Sequence, residues 1–331
     1  MKALMIEKPK TISLKDVPYP RLNEDEVIVK VKKSGVCGTD LNIYKGDYNI
    51  NYPIIPGHEF SGIVDKLGKN VEGIKEGDRV AVDPSYSCGK CKFCLANRKN
   101  LCIDFGGIGT TQPGGMAEYV SVPKEKIFIL PDFMSYTEAA FVEPVACVLN
   151  ALSRLKVKIG DKILLFGVGS MGLQLLQGLV HAGASELIVV DKSSHKLKLA
   201  KELGATEGVL SEHVEEKLSN RKFDIAIDAT GNTSVIQQIF QFMDGGAKFL
   251  QFGVTSPESY ININPFDVYN QEWSIMGSMS LNNKFLPAFN WIKEERINLS
   301  PLVTSEVSLE ESIRFFEKPN SIEELKVHIS M

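Results

Sequence analysis

Apolar and polar residues alternate from Val27 to Val31, and short strand-like runs broken by glycine and proline continue at Gly62 to Val64, Arg79 to Val82 and Tyr119 to Val122. A period of two predicts half-buried strands, so the N-terminal part reads as β-rich. Between Thr137 and Leu155 the spacing becomes helical, and after Gly160 apolar strands alternate with amphipathic helices. Strands are expected at Lys162 to Phe166, Leu187 to Val190, Ile225 to Asp228 and Lys248 to Phe252, with helices near Met171 to Ala182, Ser194 to Leu203 and Ser234 to Met243. This alternation predicts an α/β fold whose parallel sheet is connected by crossover helices. It ends near Tyr269. The tail from Trp273 to Met331 is short for a core of its own and is expected to fold back on the N-terminal half.

The chain has 331 residues, 44% of them hydrophobic and 24% charged, a globular composition at a length that favours two domains. Its net charge is only -4, and neither sign gathers into a block, which argues against nucleic acid as a partner. The longest stretch without a charged residue, Ile163 to Ser185, has the length of a bilayer span. Glycines, Gln174, Gln177 and His181 interrupt it, so no membrane span is expected. The apolar run after Lys2 stops at Glu7, too short for a signal peptide, and a cytoplasmic location is expected.

The segment Gly167-Val168-Gly169-Ser170-Met171-Gly172 follows an apolar strand and opens a helical pattern. In that context the glycines permit a tight turn, close approach of a pyrophosphate and close packing of helix on strand. Asp191 ends the next expected strand, where a carboxylate accepts hydrogen bonds from ribose hydroxyls and repels a 2′-phosphate. NAD is therefore favoured over NADP, with Lys192 weakening the preference. The alternative is a glycine turn that binds nothing, with Asp191 as a solvated strand end.

Cys88, Cys91, Cys94 and Cys102 follow the pattern C-x2-C-x2-C-x7-C, with Gly89 in the first turn. Four thiolates so spaced can close a tetrahedron around zinc with no open position, the signature of a structural site. An iron-sulfur cluster or reactive surface thiols are the alternatives. Elsewhere Cys37, His58 and Glu59 lie at glycine-rich turns, and Glu143 stands in an apolar run where an unpartnered carboxylate is costly to bury. Zinc held by such mixed ligands can acidify an alcohol and promote hydride loss. Spacing alone leaves open a core histidine, a buried thiol and a helix-terminal acid.

Taken together, Cys37-Gly38-Thr39-Asp40, Gly57-His58-Glu59-Phe60-Ser61-Gly62, Gly77-Asp78-Arg79-Val80, the four-cysteine segment, Gly114-Gly115-Met116-Ala117-Glu118-Tyr119 and the glycine turn resemble the zinc-dependent medium-chain dehydrogenases. The resemblance implies a GroES-like catalytic domain from residues 1–145 and 272–331, with a structural zinc lobe at about 84–104. It implies a Rossmann domain at 146–271, with the active site in the cleft separating the two. It also implies that Cys37 and His58 ligate a catalytic zinc, that Glu59 ligates or supports it, and that Thr39 takes the substrate proton. Glu143, followed by Pro144, is similar to the third metal ligand of the polyol branch, which includes sorbitol dehydrogenases. The cofactor set is then Gly167, Gly169, Ser170, Met171, Gly172, Asp191 and Lys192, with NAD and two zinc ions per chain.

The activity so implied is oxidation of a polyol's secondary hydroxyl. Threonine, butanediol and polyol-phosphate dehydrogenases are alternatives within the family, and a silent NAD-binding protein is the alternative outside enzymes. Many members carry a relay histidine where this chain has Asn42. Lys284 lies where the tail is expected to approach the cleft and could attract a phosphorylated polyol, with a solvated loop lysine as its simpler reading. A homo-oligomer is expected, a tetramer before a dimer.

Overall fold

The computed structural model describes residues 1–48, 50–318 and 321–331. Two compact units form: Met1–Ala146 with Leu281–Asn320 and Lys326–Met331, and Cys147–Ser280 with Ser321–Leu325.

In the first unit, β1 (Lys2–Lys8) and β2 (Thr11–Asp16) pair as an antiparallel ribbon, followed by β3 (Glu26–Gly35), α1 (Gly38–Lys45), β4 (Glu59–Leu67) and β5 (Arg79–Val82). A lobe with β6 (Ser85–Tyr86), α2 (Lys92–Leu95) and β7 (Gly106–Gly107) precedes β8 (Tyr119–Pro123), β9 (Ile127–Ile129), α3 (Tyr136–Ala140) and the start of α4 (Val142–Leu155), whose residues from Cys147 on belong to the second unit. The helical spacing from Thr137 to Leu155 thus resolves into two helices. Ser135 caps the first by accepting from Glu138 N. Pro144 lies in the first turn of α4, where its missing N–H removes no helical hydrogen bond.

The second unit contains β10 (Lys162–Phe166), α5 (Ser170–His181), β11 (Glu186–Asp191), α6 (Ser194–Glu202), β12 (Glu207–Leu210), α7 (Val214–Leu218), β13 (Phe223–Asp228), α8 (Thr233–Ile239), β14 (Met243–Gln251) and β15 (Ser274–Gly277). Its six strands are all parallel, in the order β12-β11-β10-β13-β14-β15. That is the doubly wound Rossmann order, with the strand direction of travel reversing between β10 and β13. Ile163, Leu164 and Leu165 are fully buried, as a central strand covered on both faces requires. The charge-free run from Ile163 to Ser185 is divided between β10 and α5. Among the described residues no helix is long and apolar enough to cross a membrane.

The strand β12 carries no apolar period in the sequence, because only Val209 of its four residues is buried. The domain end expected at 271 falls short of the compact unit, which runs on to Ser280 and includes β15.

The tail returns to the first unit as β16 (Val303–Ser308) and β17 (Lys326–Ser330). Its sheet runs β16-β17-β3-β4-β5-β9, with β8 also paired to β3. Val27, Val29 and Val31 of β3 point into one core with Phe60, Val80 and Val120. Leu4, Ile6 and Ile43 pack with Val327 and Ile329 of the tail in another, so both ends of the chain share one hydrophobic cluster.

Candidate active site and metal centres

The cysteine lobe brings four sulfurs together. Sγ separations are 3.6 Å for Cys91–Cys94 and 3.9 Å for both Cys88–Cys94 and Cys91–Cys102. A tetrahedron with Zn–S bonds of about 2.3 Å has S–S edges of about 3.8 Å, so the donor set fits zinc. These distances exclude disulfides within the lobe, and no disulfide forms among the described residues. Gly89, at φ 72°, makes the left-handed turn between the first two sulfurs. Amide groups aimed at sulfur prepare the lobe for thiolates: Cys88 N donates to Cys102 Sγ and Asp104 N donates to the same atom, at 3.2 and 3.4 Å. Hydrogen bonds from the Cys94 and Ile103 amides lower the Cys91 pKa to about 6.

A second donor cluster joins residues from separate elements of the first unit. Ligand atoms of Cys37, His58 and Glu59 lie within 4.8 Å of one another. Cys37 is the N-cap of α1, and Glu59 is the first residue of β4. Asp40, fully buried, ties these pieces together: Oδ2 accepts from Cys37 N at 2.9 Å, and Oδ1 accepts from Gly57 N at 3.2 Å. Asp40 Oδ1 also lies 3.4 Å from His58 Nδ1, in the position of a carboxylate that orients a ligating imidazole. Gly57 has φ +98°, and a Cβ there would fall 2.7 Å from the Met116 backbone nitrogen, so glycine is required at this turn.

Room for the Glu59 carboxylate comes from Gly35, where a Cβ would lie 2.3 Å from Glu59 Oε2. Lys326, the first residue of β17, donates from Nζ to both Glu59 oxygens at 2.8 and 2.7 Å. Burial alone would push this ammonium down, but facing Glu59 and Cys37 more than reverse that and hold its pKa up. Likewise burial pushes the His58 imidazole down, while Asp40 and Cys37 raise its pKa well above the ordinary value. The acidic groups that raise both pKa values also favour a bound cation, and the sulfur, nitrogen and oxygen donors within reach of one another suit zinc, which would take the place of the imidazole proton.

Glu143 is buried in the first turn of α4 and lies outside the three-residue set within 4.8 Å. Its charge nonetheless reaches Lys326, whose ammonium it stabilises. Thr39 and Asn42 lie on α1, both partly buried. Lys284 is the N-cap residue of the helix Phe285–Lys293 in the first unit.

In the second unit the glycine turn joins β10 to α5, with Gly169 as the helix N-cap. Gly172 must be glycine, since a Cβ would lie 2.0 Å from the Gly167 carbonyl oxygen. At Gly169 a Cβ would meet nothing within 4 Å, so the space at the helix N-terminus is open to an anion such as a pyrophosphate. Asp191 Oδ2 accepts from Val168 N at 2.9 Å, and Oδ1 accepts from Ser193 N at 3.0 Å. These bonds aim the carboxylate beside the turn and leave lone pairs for ribose hydroxyls, so the residues present fit a dinucleotide.

Asp40 has no assigned role, and Lys326 none at all, among the expectations drawn from the sequence. Asp40 carries a local signal, an acid three residues into a helix after its N-cap. Lys326 carries none, because its partner is separated from it by most of the chain.

Comparison with known proteins agrees with these features. Residues 23–132 match the family model of the alcohol dehydrogenase GroES-like domain, and residues 167–294 match that of the zinc-binding dehydrogenases. The chain is 31% identical to D-arabinitol dehydrogenase 1 of Uromyces fabae, over 99% of this chain and 97% of the relative. It is 34% identical to D-arabitol-phosphate dehydrogenase of Enterococcus avium, over 95% and 92%. A zinc-binding dehydrogenase from Sinorhizobium meliloti, solved with NADP bound, superposes with a TM-score of 0.96 at 31% identity, covering 100% of this chain and 99% of that one. Motifs, sheet order, donor clusters and relatives converge, and the chain belongs to the zinc-dependent medium-chain dehydrogenase family.

Proposed function

We propose that the protein oxidises a secondary hydroxyl of a sugar alcohol to a ketone, with NAD as acceptor. A catalytic zinc is assigned to Cys37, His58, Glu59 and Glu143, and a structural zinc to Cys88, Cys91, Cys94 and Cys102. The observation that carries this reading is the convergence of one thiol, one imidazole and one carboxylate within 4.8 Å, with His58 and Glu59 buried and Cys37 partly so. Held by these residues, zinc would supply Lewis acidity toward the alcohol and NAD would serve as the hydride acceptor.

Thr39 takes the hydroxyl proton, and because the Asn42 amide cannot accept it, water or the cofactor ribose completes the relay. Asp40 orients His58. Gly167, Gly169, Ser170, Met171 and Gly172 hold the pyrophosphate, and Asp191 with Lys192 flanks the ribose. The relatives named for arabinitol and arabitol phosphate support a polyol, free or phosphorylated.

A homo-oligomer is proposed, a tetramer before a dimer, and the open edge at β15 with exposed Ile275 supports self-association as such. A cytoplasmic location suits four cysteines that must stay reduced to hold metal. The test is NADH formation by zinc-loaded protein with sorbitol, xylitol, arabitols, galactitol, their phosphates, threonine and butanediol, each also with NADP. Turnover of one polyol supports the reading and names the substrate. Turnover of threonine or butanediol alone overturns the polyol assignment, and silence with the cofactor bound overturns the activity.

A further inference from the structure

The loop after β11 is rich in groups that welcome phosphate: Lys192, Ser193, Ser194, His195 and Lys196 directly follow Asp191. Lys192 and Ser194 also line an open cavity of about 410 Å³ with Leu210, Ser211 and Glu212. Considered alone, such a loop suits a ribose 2′-phosphate, because hydroxyls and cations stabilise the added dianion.

Two consecutive tail residues change that balance. The segment Ser321–Leu325 belongs to the same compact unit as this loop. Ser193 Oγ lies 3.0 Å from Oε1 and 2.9 Å from Oε2 of Glu323, to which it donates. His195 Nδ1 is 3.2 Å from Glu323 Oε2. Lys196 is buried, and its Nζ donates to the Glu324 carbonyl at 3.0 Å. The hydroxyl, the imidazole and the ammonium are therefore all engaged by the tail. Ser193 N meanwhile donates to Asp191, so two carboxylates hold the same serine from its two polar ends.

We infer that Glu323 is a specificity-determining residue of the adenosine-ribose site, a second carboxylate that acts with Asp191 to disfavour a 2′-phosphate. This rests on the NAD reading proposed above. The Glu323 side chain is 48% exposed, so water screens its field and it biases the choice of cofactor instead of forbidding one. The effect requires the C-terminal segment to be in place. A nucleotide-binding unit truncated before Ser321 would lose it.

Glu323→Gln tests the idea because glutamine keeps an acceptor for the Ser193 hydroxyl while removing the charge. Dissociation constants for NADH and NADPH are read from cofactor fluorescence with the full-length, zinc-loaded protein at low and high salt. The variant is expected to bind NADPH on the order of fivefold more tightly and NADH within about twofold of wild type, with the gain shrinking at high salt. An unchanged NADPH-to-NADH ratio, or equal weakening of both, overturns the inference and leaves Glu323 as a tether for the tail. Asp191→Gly measured alongside keeps the two readings separate. If wild type prefers NADPH, the NAD reading fails, yet the shift from wild type to Glu323→Gln still decides the role of Glu323.

Discussion

Lys326 Nζ lies 2.7 Å from Oε2 and 2.8 Å from Oε1 of Glu59, and both side chains are shielded from water. The pair spans β17 and β4, the two strands that flank β3, so the returning tail supplies the counter-charge for an acid in the metal cluster. Removing one partner leaves the other charge buried alone, at a cost of about 3 to 5 kcal/mol. Lys326→Met is therefore expected to be destabilised by that order in urea denaturation. Adding Glu59→Gln should recover part of the loss, since no lone carboxylate then remains. Wild-type stability in Lys326→Met would show that the pair carries no such role.

Asp40 connects the N-terminus of α1 to the turn carrying His58. Asp40→Ala should weaken zinc binding at the active site by about 10- to 100-fold, the range found when a carboxylate behind a ligating histidine is lost. Competition with a chromogenic chelator measures this directly. Zinc retention equal to wild type would remove Asp40 from the metal's support.

The cysteine lobe predicts a different phenotype. Cys91→Ser should lower bound zinc by one equivalent per chain and reduce stability by several kcal/mol, because the metal closes a lobe with little core of its own. Elemental analysis and thermal melting read the two effects. Unaltered zinc content together with an unaltered Tm would refute the structural assignment.

His328 is fully buried beside the Phe141 ring, and neither of its nitrogens has a hydrogen-bond partner among the described residues. Burial depresses its pKa to about 4, reinforced by Lys326 and Lys33 and opposed by Glu59 and Glu306. The unfolded chain protonates this group near pH 6.5 while the folded one stays neutral. Its contribution is thus complete above pH 6.5 and is lost as the pH falls toward 4, by up to about 3 kcal/mol. His328→Leu should lose correspondingly less stability over that interval in urea titrations. Identical acid sensitivity in the two proteins would rule His328 out as its source.

Features written within a few consecutive residues were legible in the sequence. The G-x-G-x-x-G turn after an apolar strand and the four-cysteine lobe each depend on short spacings that backbone geometry converts directly into structure. The alternation of buried strands and amphipathic helices likewise revealed the parallel sheet, because periodicity reports which face of an element is covered. That signal failed at β12, where Glu207 and Gly208 leave a single buried residue and sheet pairing supplies what the pattern lacks.

Partnership over long distances was decided only by the tertiary structure. Cys37, His58 and Glu59 could be nominated from the chain, but it is the pairing of β3 with β4 and Asp40's grip on two turns that bring their donor atoms together. Nothing near Lys326 marks it as the companion of Glu59, and nothing near Glu323 marks it as the companion of Ser193. Both depend on where the last strand and the segment before it come to rest. The physical reason is the same in each case: a side chain's own sequence sets its face and its chemistry, whereas a buried charge finds its partner only after sheet register and core packing have brought distant segments into contact.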